Sequence, residues 1–241
     1  VGSEMCIRDS LSIYPVVRAW GFTTGDYQVP SDDDLATLTA LVDYTRIDYD
    51  PASGAVSLPE GMEIDLGSVA KGYAGREAAQ LLRQAGVSSA LLNLGGNIQT
   101  VGSRPDGDPW QIGVKDPSTG QPMMVLSIRD QAVVTSGGYE RYFQQDGRTY
   151  WHIMDPATGR PAESGLRSVT IVGDDGLVCD GLSTALFVMG LERAAQFWAG
   201  SDDFEAIFVT DDGSVYLTQG LTDRFALTQD HADTPVQVIQ R

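Results

Sequence analysis

The strongest constraint on this chain is the close spacing of its short β-patterned runs. SSALLNL, WQIGV, MMVLSIR, QAVVTS, TYWHIMD and RSVTIVG follow one another between residues 88 and 173, divided by Gly, Pro and Asp turns. Links this short join antiparallel neighbours, because parallel neighbours need a crossover of a dozen residues or more. Helical patterns are fewer. Ser31 caps the run after DDD, whose acids suit the positive end of a helix and whose apolar stripe is Leu35, Leu38, Leu41 and Val42. A second helix is expected from Val69 to Ala85, stopped by Gly86; a third from about Asp175 to Met189, ended by Gly190; a fourth from Leu191 to Trp198. Residues 45 to 58 read as a hairpin around DPASG, and EAIFVTDDGSVYL as another. The expected fold is α+β: mainly antiparallel sheets with inserted and flanking helices.

Composition bounds the function. At 241 residues and 42% hydrophobic, the chain can bury one substantial core. Its 33 acids against 16 Lys and Arg give a net charge of −17, which disfavours a nucleic-acid partner. The only lysines are Lys71 and Lys115, and no apolar run is long enough to span a bilayer. Cys6 and Cys179 lack the pairing of a zinc or disulfide framework, and Cys179, beside Leu177, reads as a small core residue. Residues 1–10, VGSEMCIRDS, have no apolar period and are read as a non-native leader. The domain is expected over 11–241, shortened at its N-terminus.

Four constellations could carry chemistry. Asp65-Leu66-Gly67-Ser68-Val69-Ala70-Lys71 sets an acid, a glycine turn and a lysine at a helix start, which suits an anion or nucleotide and equally an ordinary strand-to-helix turn. Asn93-Leu94-Gly95-Gly96-Asn97 closes an apolar strand with paired glycines, for a close ligand approach or a simple turn. His152 precedes Met154-Asp155-Pro156 and Thr158-Gly159, as a base or as a satisfied core residue; the other histidine, His231, lies near an end expected to fray. Asp180 and Thr184 are one helical turn apart, hard oxygens that suit magnesium; a carboxylate on so apolar a helix needs a partner or cation.

In order and spacing, DLGSVAKGYA, NLGGNI, WQIGVKDP, VVTSGGYERYF, HIMDPATGRP and CDGLSTALFVMG resemble the ApbE family of FAD:protein FMN transferases over roughly residues 11 to 228. That resemblance implies FAD held between central sheets and Mg2+ at its pyrophosphate. It assigns the metal to Asp180, Thr184 and a Ser68 backbone carbonyl, with Ser183 as a further ligand. It places Asp65, Lys71, Gly95, Gly96 and the backbone at Met154 against the flavin nucleotide, and gives His152 a part in the reaction. Family members usually carry an FD(I/V)T segment before the stretch that matches LSIYPVVRAWGF; here that position falls at Asp9-Ser10.

The implied reaction moves the FMN half of FAD onto a Ser or Thr hydroxyl of an acceptor protein, releasing AMP, with His152 taking the hydroxyl proton and Asp180 holding the metal. The same residues would serve an FAD pyrophosphatase giving FMN and AMP, and a non-catalytic flavin or metal carrier is the reading from another class. The resemblance further implies an acceptor subunit of a membrane redox complex and an extracytoplasmic or periplasmic setting, with lipid anchoring of the full-length protein.

Overall fold

The computed structural model describes residues 11–241; the reading of 1–10 as a leader and the Asp9-Ser10 position lie outside the described residues. Ser12 and Ile13 lead into α1 (Tyr14–Ala19), which starts with Pro15 in its first turn. The helix expected after Ser31 is α2 (Asp32–Thr39), with the Ser31 side chain accepting from Asp34 N; it stops before Leu41 and Val42. β1 (Asp48–Asp50) and β2 (Ala55–Ser57) form the hairpin read from residues 45 to 58. α3 (Gly67–Gln84) begins two residues earlier than the sequence predicts and ends before Gly86, which takes φ +81°.

Then come β3 (Ser89–Leu94), β4 (Asn97–Gly102), β5 (Trp110–Lys115), β6 (Pro122–Ile128), β7 (Ala132–Gly137), β8 (Tyr142–Gln145), β9 (Arg148–Trp151) and β10 (Leu166–Gly173). Two helices follow, α4 (Gly176–Met189) and α5 (Leu191–Ala199). β11 (Phe204–Thr210), β12 (Val215–Thr218), β13 (Phe225–Leu227) and β14 (Val236–Ile239) complete the chain. The C-terminal region is therefore ordered into the fold rather than frayed: β14 adds to a sheet, and His231 Nε2 lies 4.0 Å from Asp116 Oδ2.

A seven-stranded sheet in the order β14-β12-β11-β10-β7-β4-β3 organises the molecule, antiparallel except for the β12–β14 pair. One face carries α4 and α5, whose Cys179, Leu186, Phe187, Ala194 and Trp198 pack on Val134, Ile171 and Phe208. The other face meets a three-stranded sheet, β13-β6-β5, where Met124, Leu126 and Ile128 pack on Val133, Val172 and Ile207. Adjacent residues such as Val133 and Val134 thus serve opposite cores, as the period of two in a strand requires. Burial of Cys179 pushes its thiol up to about 12, so it stays a neutral core group. A third cluster joins Trp20, Phe22 and Leu35 to Phe143 and Met154, and the buried Trp20 indole donates to Gly159 O at 2.8 Å. Gly159, at φ +67°, has Thr39 Cγ2 2.8 Å from where a Cβ would lie, so the DPATGRP turn doubles as a seat for α2.

Candidate functional site

The site forms where α3 and α4 cross. Their approach depends on Gly72: a Cβ there would sit 2.1 Å from Gly176 O and 2.7 Å from Asp180 Cβ. Without one, the Gly72 N–H reaches Asp180 Oδ2 at 2.7 Å. In a regular helix that N–H bonds to the carbonyl four residues back, which is Ser68 O. A donor drawn to a carboxylate bonds its helical acceptor less fully, so the Ser68 carbonyl is favoured for other partners. At the start of α3, Asp65 Oδ1 accepts from Gly67 N at 2.8 Å, holding the DLGS turn.

A cavity of about 620 Å³ opens at this crossing, within the usual range for small-molecule sites. Asp65, Ser68, Lys71, Gly95, Gly96, His152, Met154, Asp180 and Thr184 all line it, so segments spread over more than a hundred residues meet in one place. Gly95 and Gly96 take φ +63° and +93°, turning β3 into β4 with bare backbone at the cavity wall. Ser183 does not line it. Its side chain is wholly buried, its Oγ donating to Asp180 O at 2.8 Å and hydrogen-bonded with Ser136 Oγ at 2.7 Å. The next helical position points about 100° away, which is where Thr184 reaches the cavity.

Asp180 is 5% exposed, and burial raises its carboxyl above the ordinary range against the Gly72 bond and the Lys71 charge. A buried carboxylate in that state gains from a cation. Around it are neutral oxygens: Thr184 Oγ1, hydrogen-bonded with Ser136 Oγ at 3.1 Å, and Ser68 Oγ, which is buried with no partner. No group of three or more His, Cys, Asp or Glu suited to a metal occurs among the described residues. One carboxylate with hydroxyl and carbonyl oxygens suits magnesium, which keeps waters and ligand phosphates in its shell, and does not suit zinc.

His152 falls just past β9, not within a strand, and is half-buried. Its backbone N–H donates to Arg141 O at 3.1 Å, and its ring Nδ1 lies 3.2 Å from the same carbonyl. A carbonyl only accepts, so the neutral ring carries its proton on Nδ1 and leaves Nε2 as the basic nitrogen. Burial, then the Arg141 and Lys71 charges, lower its pKa to about 4. An exposed histidine titrates near 6.5; burial first, and the Arg141 and Lys71 charges second, make His152 a much weaker base, held neutral at physiological pH.

Sequence reasoning missed several wall residues: Arg141, Thr135, Ser136, Tyr139 and Lys115. Composition held a signal for one of them, since both lysines of the chain, Lys71 and Lys115, line this cavity. With Arg141 they set three cations against Asp65, Glu140 and Asp180, an even balance in a chain with 33 acids to 16 Lys and Arg.

A layered, mainly antiparallel α+β core with hard oxygens and clustered cations in one cavity defines a protein suited to a phosphorylated ligand. The sequence pattern of the ApbE family matches residues 10–208. An FAD:protein FMN transferase of Klebsiella pneumoniae (strain 342) is 38% identical over 226 residues, covering 91% of this chain and 70% of the relative. One from Treponema pallidum (strain Nichols) is 36% identical over 226 residues, covering 86% of this chain and 62% of the relative. Among solved structures, the ApbE protein of Thermotoga maritima MSB8 matches with a TM-score of 0.81 at 33% identity, over 87% of this chain and 69% of that one. The flavin transferase ApbE of Vibrio cholerae matches at 0.76 and 30%, over 89% and 70%. The chain belongs to the ApbE family, whose curated members here are named as transferase enzymes. It spans less than the whole of each of these relatives.

Proposed function

We propose that this protein transfers the FMN half of FAD to a Ser or Thr hydroxyl of an acceptor protein, with Mg2+ at the pyrophosphate and AMP as the leaving group. The observation that carries this reading is the convergence of Asp180, Thr184 and Ser68 with Lys71, Lys115, Arg141 and His152 on one cavity. A nucleotide diphosphate needs both halves: oxygen donors for a cation and cationic side chains for its own oxygens.

Asp180, Thr184 and the Ser68 oxygens would hold the metal, which when bound supplies charge neutralisation to the phosphates as a Lewis acid. Lys71 and Arg141 orient the phosphate oxygens, and the bare backbone at Gly95 and Gly96 lets the nucleotide lie close. His152 Nε2 accepts the proton as the acceptor oxygen forms its bond to the FMN phosphorus. The bond from that phosphorus to the bridging oxygen breaks, and the oxygen departs with AMP. So weak a base takes the proton late, as the P–O bond forms, and it is never lost to protonation near neutral pH.

Incubation with FAD, Mg2+ and an acceptor protein tests the reading. It requires an acceptor gaining the mass of FMN less water, with one AMP released per modification. Equal release of free FMN and AMP, with no modified protein, would replace it with the pyrophosphatase reading; binding of FAD with no cleavage would leave only a carrier. An extracytoplasmic location and a membrane redox acceptor remain part of the proposal through the family resemblance alone.

A further inference from the structure

Between β7 and α4 lies a short run of hydroxyls: Thr184, Ser136 and Ser183. Ser183 faces inward from α4 and is wholly buried, while Thr184, one position on, lines the cavity. Ser136 comes from β7, where Val169 of β10 is its partner in register. Its Oγ reaches both helix residues, Ser183 Oγ at 2.7 Å and Thr184 Oγ1 at 3.1 Å. The run ends on a backbone carbonyl, Asp180 O, 2.8 Å from Ser183 Oγ.

That carbonyl gives the run a direction. A hydroxyl has one proton and two lone pairs, whereas a carbonyl oxygen only accepts. Ser183 therefore spends its proton on Asp180 O. Ser136 must then donate to Ser183, and Thr184 to Ser136. Reversing either link would need a second proton on an oxygen that has only one. Every proton in the run is thus committed within the protein, and the Thr184 oxygen keeps lone pairs, without a proton, for the cavity it lines. A hydroxyl free to rotate turns its proton toward a cation as readily as a lone pair. Hydroxyls chained in one sense polarise one another and hold that sense.

We propose that Ser136 and Ser183 are positioning residues for the cation: a one-way chain, Thr184 to Ser136 to Ser183 to Asp180 O, fixes the Thr184 hydroxyl as a lone-pair donor. The proposal rests on the reading that Asp180 and Thr184 hold Mg2+. That ion demands near-ideal octahedral geometry, so a ligand with a fixed lone pair matters to it. The chain also ties the two ligands together. Its last acceptor is the backbone of Asp180, whose carboxylate is itself held by the Gly72 N–H at 2.7 Å. Ser183 is the telling residue, because it is wholly buried and does not line the cavity, so it acts on a cation there only through its neighbours.

Two measurements on the full chain test this: calorimetric titration with Mg2+ alone, and the Mg2+ dependence of AMP release from FAD. Ser183→Ala deletes the middle of the chain. Ser183→Cys fills the same space with a sulfur that accepts poorly from Ser136, and serves if the alanine variant does not fold. Either should raise the Mg2+ Kd, and the Mg2+ concentration for half-maximal turnover, about tenfold, the scale of one hydrogen bond. The KM for FAD and kcat at saturating Mg2+ should stay near those of the parent, a split that a general loosening of the core would not produce. Ser136→Ala should lose as much Mg2+ affinity as Ser183→Ala, while Ser136→Thr, which keeps the hydroxyl, should retain it. Unchanged Mg2+ affinity in the Ser183 variants overturns the proposal, as does a KM for FAD that rises in parallel; both leave the transferase reading standing. A parent chain that neither binds Mg2+ nor needs it to release AMP overturns the metal assignment beneath the proposal.

Discussion

Gly72 and Asp180, 108 residues apart, are joined by a 2.7 Å hydrogen bond from the Gly72 N–H to Asp180 Oδ2. The bond exists because α3 has no side chain at that point, and it fixes the carboxylate where the two helices meet. The same contact couples stability to chemistry, so the site can be disturbed from outside the cavity.

Replacing Gly72 with Ala therefore does more than add a methyl group. The new Cβ meets backbone at Gly176 O, which cannot turn aside, so α3 and α4 must move apart. The expected cost is about 1–3 kcal/mol or more, the range for overpacking a core. Thermal unfolding should show it, together with a higher Mg2+ concentration for half-maximal turnover. A Gly72→Ala protein with unchanged melting temperature would contradict the packing account.

Asp180→Asn separates the two roles of the carboxylate. The substitution keeps shape and an oxygen for Gly72 N–H while removing a charge that burial disfavours. The melting temperature should hold or rise. Turnover should fall at least about 10²-fold, the scale of losing one preorganised electrostatic group. Loss of stability together with activity would point to a structural role for the acid.

His152 gives a pH signature. Its folded pKa, lowered to about 4, lies below the 6.5 of an exposed histidine. The unfolded chain therefore takes up this proton first as pH falls. Stability linked to His152 is fully present above about 6.5 and is lost as pH drops from there toward 4. His152→Gln should flatten that part of the stability curve. Turnover should show no break near 6.5, because the base stays neutral until about 4. An acid limb that survives in His152→Gln belongs to another group, with Asp180 the first to examine.

Lys71→Met should weaken FAD binding by several-fold to about tenfold, since an exposed cation contributes about 0.5–1.5 kcal/mol to a phosphate contact. The loss should shrink at high salt. Titration by flavin fluorescence at two ionic strengths measures both effects; salt-independent binding in parent and variant would exclude a phosphate role.

The antiparallel core was legible because turn residues break the chain into short strands, and the caps at Ser31, Gly86 and Gly190 mark three helix ends. β4 was not. Residues 97–101 are all buried, since this strand lies between β3 and β7 with both faces covered, so the alternation that identifies a strand is absent. The parallel β12–β14 pair depends on a return of the chain that no local pattern encodes. Within the site, one-turn spacing brought out Asp180 and Thr184. It could not show that Ser183 turns inward to Ser136, or that Arg141 lowers the basicity of His152, because both depend on segments distant in sequence.

The most direct test of the central claim is the stoichiometry of AMP and protein-bound flavin. The chain should be incubated with FAD, Mg2+ and cell extract proteins bearing candidate acceptors, and modified proteins read by intact mass. The account predicts one AMP for each acceptor carrying FMN on Ser or Thr, with both products lost in Asp180→Asn. AMP matched only by free FMN, whatever acceptor is present, would contradict it.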